Sequence, residues 1–133
     1  MIDLVIIGAG GFGREVHALI TNINQVKPTY NVLGFLDDGI AKGTAIHELE
    51  VLGGIDEIKL LGDVAAVLAI GNPKVRESVK NKMPASTYFP NIIHPLAVFL
   101  DVERIRIGLG NIICAGSIFT TDILIGSFCI INL

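Results

Sequence analysis

The chain has 133 residues, of which 51% are hydrophobic and 17% charged, a balance that excludes a disordered polymer and supplies a core for one domain or two small ones. Its formal net charge of −3 excludes the basic face that nucleic acid requires, so an anionic ligand would have to be held by backbone amides or a few placed cations. Cys114 and Cys129 make no disulfide framework and suit a reducing compartment. With Asp3 and no basic stretch, the first eight residues are no signal peptide, and the expected location is the cytoplasm.

Ile2 to Ile7 is a short apolar run of the kind found in a parallel strand covered on both faces. Gly8-Ala9-Gly10-Gly11-Phe12-Gly13 follows at once, and then a helical pattern with Val16, Leu19, Ile20 and Ile23 on one face. Gly8, Gly10 and Gly13 fit the G-x-G-x-x-G spacing in its strand–turn–helix setting. Glycines there let backbone approach a pyrophosphate, and the helix N-terminus offers unpaired N–H groups. A second strand, Val32 to Leu36, ends in Asp37-Asp38, where a carboxylate could hydrogen-bond the ribose or base of a nucleotide; the simpler reading is a solvated turn before Gly39.

Residues 39 to 54 read as a glycine-rich connection, Ile55 to Leu61 as a short helix, and Val64 to Ile70 as a third buried strand. Gly71-Asn72-Pro73 turns the chain into a helix with Val75, Val79 and Met83 on its apolar side. Arg76 in that helix could reach a phosphate or be merely solvated. Pro84 to Phe89 reads as a fourth strand and Pro90-Asn91 as a boundary, so residues 1–90 form a three-layer α/β unit with a parallel sheet, and 91–133 a second unit.

From Ile107 to Leu133 an apolar residue returns every sixth position: Ile107, Ile113, Phe119, Ile125 and Ile131. Neither a helix nor an alternating strand has that period, whereas a parallel β-helix of hexapeptide repeats does. Residues eighteen apart then stack, Ile107 under Ile125 and Ile113 under Ile131. Gly108, Gly126 and Asn132, one place after the apolar residue, are expected at corners of positive φ. Asn111, Ser117, Ile123 and Cys129, four places after it, suit a narrow interior. A membrane span is the rival reading, but four glycines, two asparagines and Thr120-Thr121-Asp122 suit corners better than lipid. The phase is lost between Phe99 and Arg106, so residues 99–105 are expected to be a loop or irregular coil, leaving about one and a half clear coils.

His17, His47 and His94 fall on a helix, in a connection and at an entry turn, and each is more simply structural than catalytic. No metal-ligand spacing, paired carboxylates or Ser-His-Asp order stands out.

Taken together, Ile7 to Val16, Gly34-Phe35-Leu36-Asp37-Asp38, Val51-Leu52-Gly53-Gly54, Ala69-Ile70-Gly71-Asn72, Ile93-His94-Pro95 and the hexads resemble one family over the whole chain. It is that of the bacterial sugar acetyltransferases of sialic-acid O-acetyltransferase and bacillosamine-pathway N-acetyltransferase type. The resemblance implies a left-handed β-helix, a homotrimer when full length, and transfer of acetyl from acetyl-coenzyme A to an amine or hydroxyl of a nucleotide-linked amino sugar or sialic acid, in surface-glycan biosynthesis. It implies Gly8, Gly10, Gly11 and Gly13 at the phosphates, Asp37 and Asp38 near the base or ribose, and Gly71 and Asn72 in the same cleft. The family's general-base histidine follows an Ile-Asn pair by several residues; here that pair is Ile131-Asn132, so the histidine is implied beyond Leu133, and a longer protein is expected. Phe12 stands where the family frequently has histidine.

Two other functions fit part of the pattern. A nicotinamide-dependent oxidoreductase would use the glycines and Asp37, but the hexads leave no domain for hydride transfer. A non-catalytic nucleotide-sugar-binding module is the third.

Overall fold

The computed structural model describes residues 1–132, so the last residue of the hexad run, Leu133, lies outside the described residues. Strand β1 (Ile2–Ile7) leads into helix α1 (Gly11–Val26), then β2 (Tyr30–Leu36), β3 (Ala45–Ile46), β4 (Leu49–Gly53), a 3-10 helix (Ile55–Leu60), β5 (Ala65–Leu68) and helix α2 (Pro73–Lys82). The five strands form one sheet in the order β3-β4-β2-β1-β5. Pairings of β1 with β2 and β5, and of β2 with β4, are parallel. The hairpin β3–β4 is antiparallel, so the sheet is mixed rather than wholly parallel.

Alternation along β1 explains the layers. Leu4 and Ile6 face α1, packing with Val16, Leu19 and Ile20. Val5 and Ile7 face the other way, onto Ile58 of the 3-10 helix and Val79 and Met83 of the α2 side. All four β1 residues are fully buried, which is why the run reads as continuously apolar. Val75, expected on that apolar side, is exposed instead.

Two further expectations fail in this half. The connection 39–54 contains β3 and β4, because Ala45-Ile46 and Leu49-Glu50 find each other across a tight turn at His47, which adopts φ 53°. The stretch Pro84 to Phe89 makes no strand, only one bridge from Tyr88 to Ala65 at the outer edge of β5.

The second half is a stack of coils. Its strands are β6 (Ile92–Ile93), β7 (Val98–Phe99), β8 (Ile105–Ile107), β9 (Ile112–Ile113), β10 (Ile118–Phe119), β11 (Ile123–Ile125) and β12 (Ile130–Ile131). They pair in parallel as β6-β9-β12, β7-β10 and β8-β11. Ile107 lies beside Ile125 and Ile113 beside Ile131, as the eighteen-residue spacing requires. All five hexad residues belong to the interior cluster, with Ile113, Phe119 and Ile125 buried. Two full coils and the start of a third are therefore present among the described residues, rather than one and a half.

The lost phase has a specific cause. Ile92 pairs with Ile112 and Val98 with Ile118, twenty residues on, whereas Ile105 pairs with Ile123, eighteen on. The first coil thus carries two extra residues, taken up by a 3-10 helix at Val102–Arg104. The corners are also misplaced in the sequence reading. Positive φ occurs at Gly110, Gly116, Asp122 and Phe128, three places after each interior residue, and at none of Gly108, Gly126 or Asn132. Gly108 is small for another reason: a Cβ there would come within 2.6 Å of the Gly126 carbonyl oxygen in the coil above.

The outward side of the first face packs on α1. Ile92 and Ile112, both buried, with Cys114 and Ile130, join the core between α1 and the sheet. No helix of the described residues is long and apolar enough to cross a membrane. Ile113→Val is expected to cost about 1 kcal/mol, against almost nothing for Ile118→Val on the exposed side of its strand, as urea unfolding would show.

Candidate functional site

Strand β1 is the centre of the site because the chain reverses there: β2 and β4 lie to one side of it and β5 to the other. The carboxyl ends of β1 and β5 open a crevice at this switch point, the usual ligand position in α/β sheets. Three glycines shape it in different ways. Gly8, at φ 105°, sits so close to the Ala69 carbonyl oxygen that a Cβ would approach to 2.7 Å. Gly13 packs α1 directly on the Gly8 carbonyl and is buried. Gly10 has open space where a Cβ would be, and it caps α1 without a side chain. Gly11 begins the helix, whose first-turn amides have no side-chain cap.

The carboxylates behave differently from a simple ligand contact. Asp37 accepts from the Ala9 amide at 2.9 Å and from Gly39 at 2.7 Å, so it braces the glycine loop. Asp38 accepts from the Ile55 amide at 2.8 Å, beyond the neighbouring strand. Both carboxylates therefore tie strand ends to loops. Asn72 caps α2, accepting from the amides of Lys74 and Val75, while Gly71 stays open beside it.

Gly71 forms one wall of a cleft of about 430 Å³ with Phe12, Pro73, Arg76, Ile130 and Asn132. A second hollow of about 290 Å³ shares Phe12 and Asn132 and runs between α1 and the coils, past Glu15, Asn22, His94 and Cys114. The structure thus brings the glycine loop, Gly71 and Asn72 to one edge, with Asp37 behind the loop and Asp38 further away. Sequence reasoning missed Ile130, Pro73 and Glu15 as lining residues; only the α1–coil packing brings them in. Arg76 is half-buried and tied down, its Nε donating to Phe128 O at 3.0 Å and its Nη1 to Ile70 O at 2.7 Å, while the side chain also lines the cleft.

His94 accepts from the Leu96 amide at Nδ1, so its Nε2 carries the proton and donates to Asn22 Oδ1 at 2.9 Å. One nitrogen fixes the entry turn and the other ties it to α1. Burial pushes the His17 imidazole below its ordinary value, with Glu48 opposing and His47 adding to the shift; it stands edge-on to Phe35 at 6.1 Å. A depressed folded-state value means that the neutral ring's contribution is complete above about pH 6.5 and lost as pH falls through the lower value. His17→Gln should therefore flatten part of the acid-side fall in urea midpoint. Burial, with Glu15 nearby, raises the Cys114 thiol, so it is no activated nucleophile. Among the described residues no His, Cys, Asp and Glu cluster could hold a metal.

The PglD N-terminal domain family matches residues 3–83, more than half of the chain. The chain belongs to the PglD N-terminal domain family. Among solved structures it is similar to the acetyltransferase domain of PglB from Neisseria gonorrhoeae FA1090, with 25% identity, TM-score 0.83, and coverage of 99% of this chain and 62% of that one. It is similar to perosamine N-acetyltransferase from Caulobacter crescentus in complex with CoA and GDP-perosamine, at 26% identity and TM-score 0.82, covering 98% and 60%. WeeI from Acinetobacter baumannii AYE is 30% identical with TM-score 0.79, covering 96% and 59%. No curated protein matches. The chain thus spans about three fifths of the length of these neighbours.

Proposed function

We propose that the whole protein transfers acetyl from acetyl-coenzyme A to an amine, or hydroxyl, of a nucleotide-activated amino sugar in surface-glycan biosynthesis. The observation that carries this reading is the glycine-loop crevice at the β1/β5 switch point, closed on its far side by Ile130 and Asn132 of the coils. Its support from outside is likeness, over nearly the whole chain, to an N-acetyltransferase described with CoA and GDP-perosamine. Gly8, Gly10, Gly11 and Gly13 form the loop assigned to the diphosphate, with Gly10 and Gly11 open toward it and Gly8, whose amide is spent on Leu36 O, and Gly13 giving the loop its close packing; Gly71 and Asn72 are assigned to the facing side of the cleft, and Asp37 and Asp38 to the nucleoside.

In the reaction the acceptor nitrogen attacks the thioester carbonyl, the C–S bond breaks, and the acceptor's proton leaves to a general base, help worth about 10²–10⁴-fold. Neither nitrogen of His94 is available for that task. The base is assigned to the histidine that the family resemblance implies after Asn132.

We further propose a division into units at about residues 90–91, a left-handed hand for the coils, a cytoplasmic location supported by the two unpaired cysteines, and a homotrimer. The trimer is supported by Leu96, Val98, Ile118 and Leu124, exposed apolar residues on the outward side of the coils, which suit burial against further copies. Light scattering on the full-length protein tests this, and a monomer would refute it.

Incubating full-length protein with acetyl-CoA and GDP-perosamine or UDP-glucosamine, with release of free thiol as readout, tests the activity. Thiol release dependent on the amino sugar is expected. Tight NADH binding with no binding of either sugar nucleotide would instead favour the oxidoreductase reading.

A further inference from the structure

We propose that Arg76 and Phe128 form a clasp that sets the width of the switch-point cleft, with Arg76 as its positioning residue; this rests on the nucleotide-sugar reading of that cleft. Four corners of the coils, six residues apart, have positive φ, and three of them carry Gly110, Gly116 and Asp122, residue types that tolerate it. The fourth carries Phe128 at φ 57°. For a bulky residue that is an outlier, and strain of this kind persists only where the surroundings over-determine it.

The surroundings do so from four sides. The Phe128 ring stands edge-on to Phe89, centroids 5.0 Å apart, and Lys80 Nζ lies 5.7 Å from its centroid. Beneath it Gly110 leaves room that a Cβ would fill, 2.5 Å from the ring. Its amide donates to Leu109 O at 2.8 Å. Its carbonyl accepts from Arg76 Nε at 3.0 Å, and the same guanidinium reaches Ile70 O at 2.7 Å and Gly71 O at 3.3 Å through Nη1.

The cleft lies between the segments this side chain joins. Gly71 is on one wall and Ile130, two residues after Phe128, on the other. One planar guanidinium therefore links both walls through three carbonyls, while its orientation is held from α2. An ammonium has the charge but not the fork, so lysine cannot make the same set of bonds. The clasp leaves the diphosphate to the glycine loop and fixes the distance across which the coils meet it.

Amide hydrogen exchange and calorimetric titration of full-length protein with GDP-perosamine and UDP-glucosamine test the clasp. In Arg76→Ala, exchange should quicken about tenfold both at the Phe128 amide and at the Lys74 and Val75 amides, with the sheet amides of Ile6 and Val67 unchanged. Unchanged exchange at either wall overturns the proposal. Arg76→Ala and Phe128→Gly should each weaken sugar-nucleotide binding about tenfold, with little further loss in the double variant. Fully additive losses overturn it, as does full binding by Arg76→Lys, which would make the effect one of charge on the phosphates. If wild type binds neither sugar nucleotide, the functional reading falls, and the exchange result alone still decides the clasp.

Discussion

Asn111→Ala is expected to destabilise the protein by about 3 kcal/mol, through loss of one buried hydrogen-bond junction. Asn111 is fully buried inside the coils, where a polar side chain is admissible only if every group is paired. It is paired. Its Nδ2 donates to Asn91 Oδ1 at 3.0 Å and to Gly126 O at 2.8 Å, and its Oδ1 accepts from the Cys129 amide at 2.8 Å. Asn91 in turn donates to Gly108 O at 2.8 Å, so the two asparagines lace successive coils together near the cleft. Alanine orphans the Cys129 N–H. Gly126 O keeps a second, longer donor in the Gly108 amide at 3.2 Å, which limits the damage there.

Asn111→Asp should be worse at neutral pH, because its second oxygen would face Asn91 Oδ1 and Gly126 O instead of donating to them. Burial and those facing oxygens would raise that carboxyl's folded-state value, so stability is regained as pH falls and the group takes a proton. Urea unfolding of both variants at neutral and mildly acid pH checks the order. An alanine variant as stable as wild type would contradict the junction.

Gly13→Val is expected to cost at least about 3 kcal/mol and to leave no intact cleft. A Cβ at Gly13 would run into the Gly8 carbonyl oxygen, and it would also lie 3.5 Å from the Phe35 ring. Backbone cannot yield as a flexible side chain does, so α1 would have to lift from β1. Gly10→Ala separates packing from binding. Its φ of −78° suits alanine and nothing lies within 4 Å of the new methyl group, so stability should hold within about 0.5 kcal/mol. Affinity for a sugar nucleotide should fall about tenfold, because under the proposed function the methyl group would stand where the phosphates approach. Thermal melts and calorimetry on the pair check both halves, and equal destabilisation by the two substitutions would refute the division of roles.

The residues that were legible from sequence share one property: their spacing is imposed by backbone geometry. Ile107 to Ile131 keep phase because each face of the prism takes six residues, and the glycine loop keeps its pattern because Gly8 and Gly13 meet backbone where a side chain would not fit. Asp37 and Asp38 were visible as residues at a strand tip but not as braces, since their partners, Ala9 and Ile55, lie 28 and 17 residues away. The hairpin at Ala45–Gly53 was hidden because strands of two and five residues are too short for an alternating pattern to declare itself. Phe128 could have been flagged as the next member of the six-residue series Gly110, Gly116, Asp122, yet nothing in its own identity suggests a left-handed corner.

The amino-acid sequence by itself determined the two kinds of unit, the phosphate-type loop and the stacking register, because period and residue size dictate these locally. Tertiary structure alone decided how the units meet: α1 is covered by Ile92 and Ile112, Arg76 reaches across to Phe128, and Ile130 and Asn132 close the cleft. Those contacts join residues far apart in the chain, and no local pattern records which distant surface will exclude water from a given face.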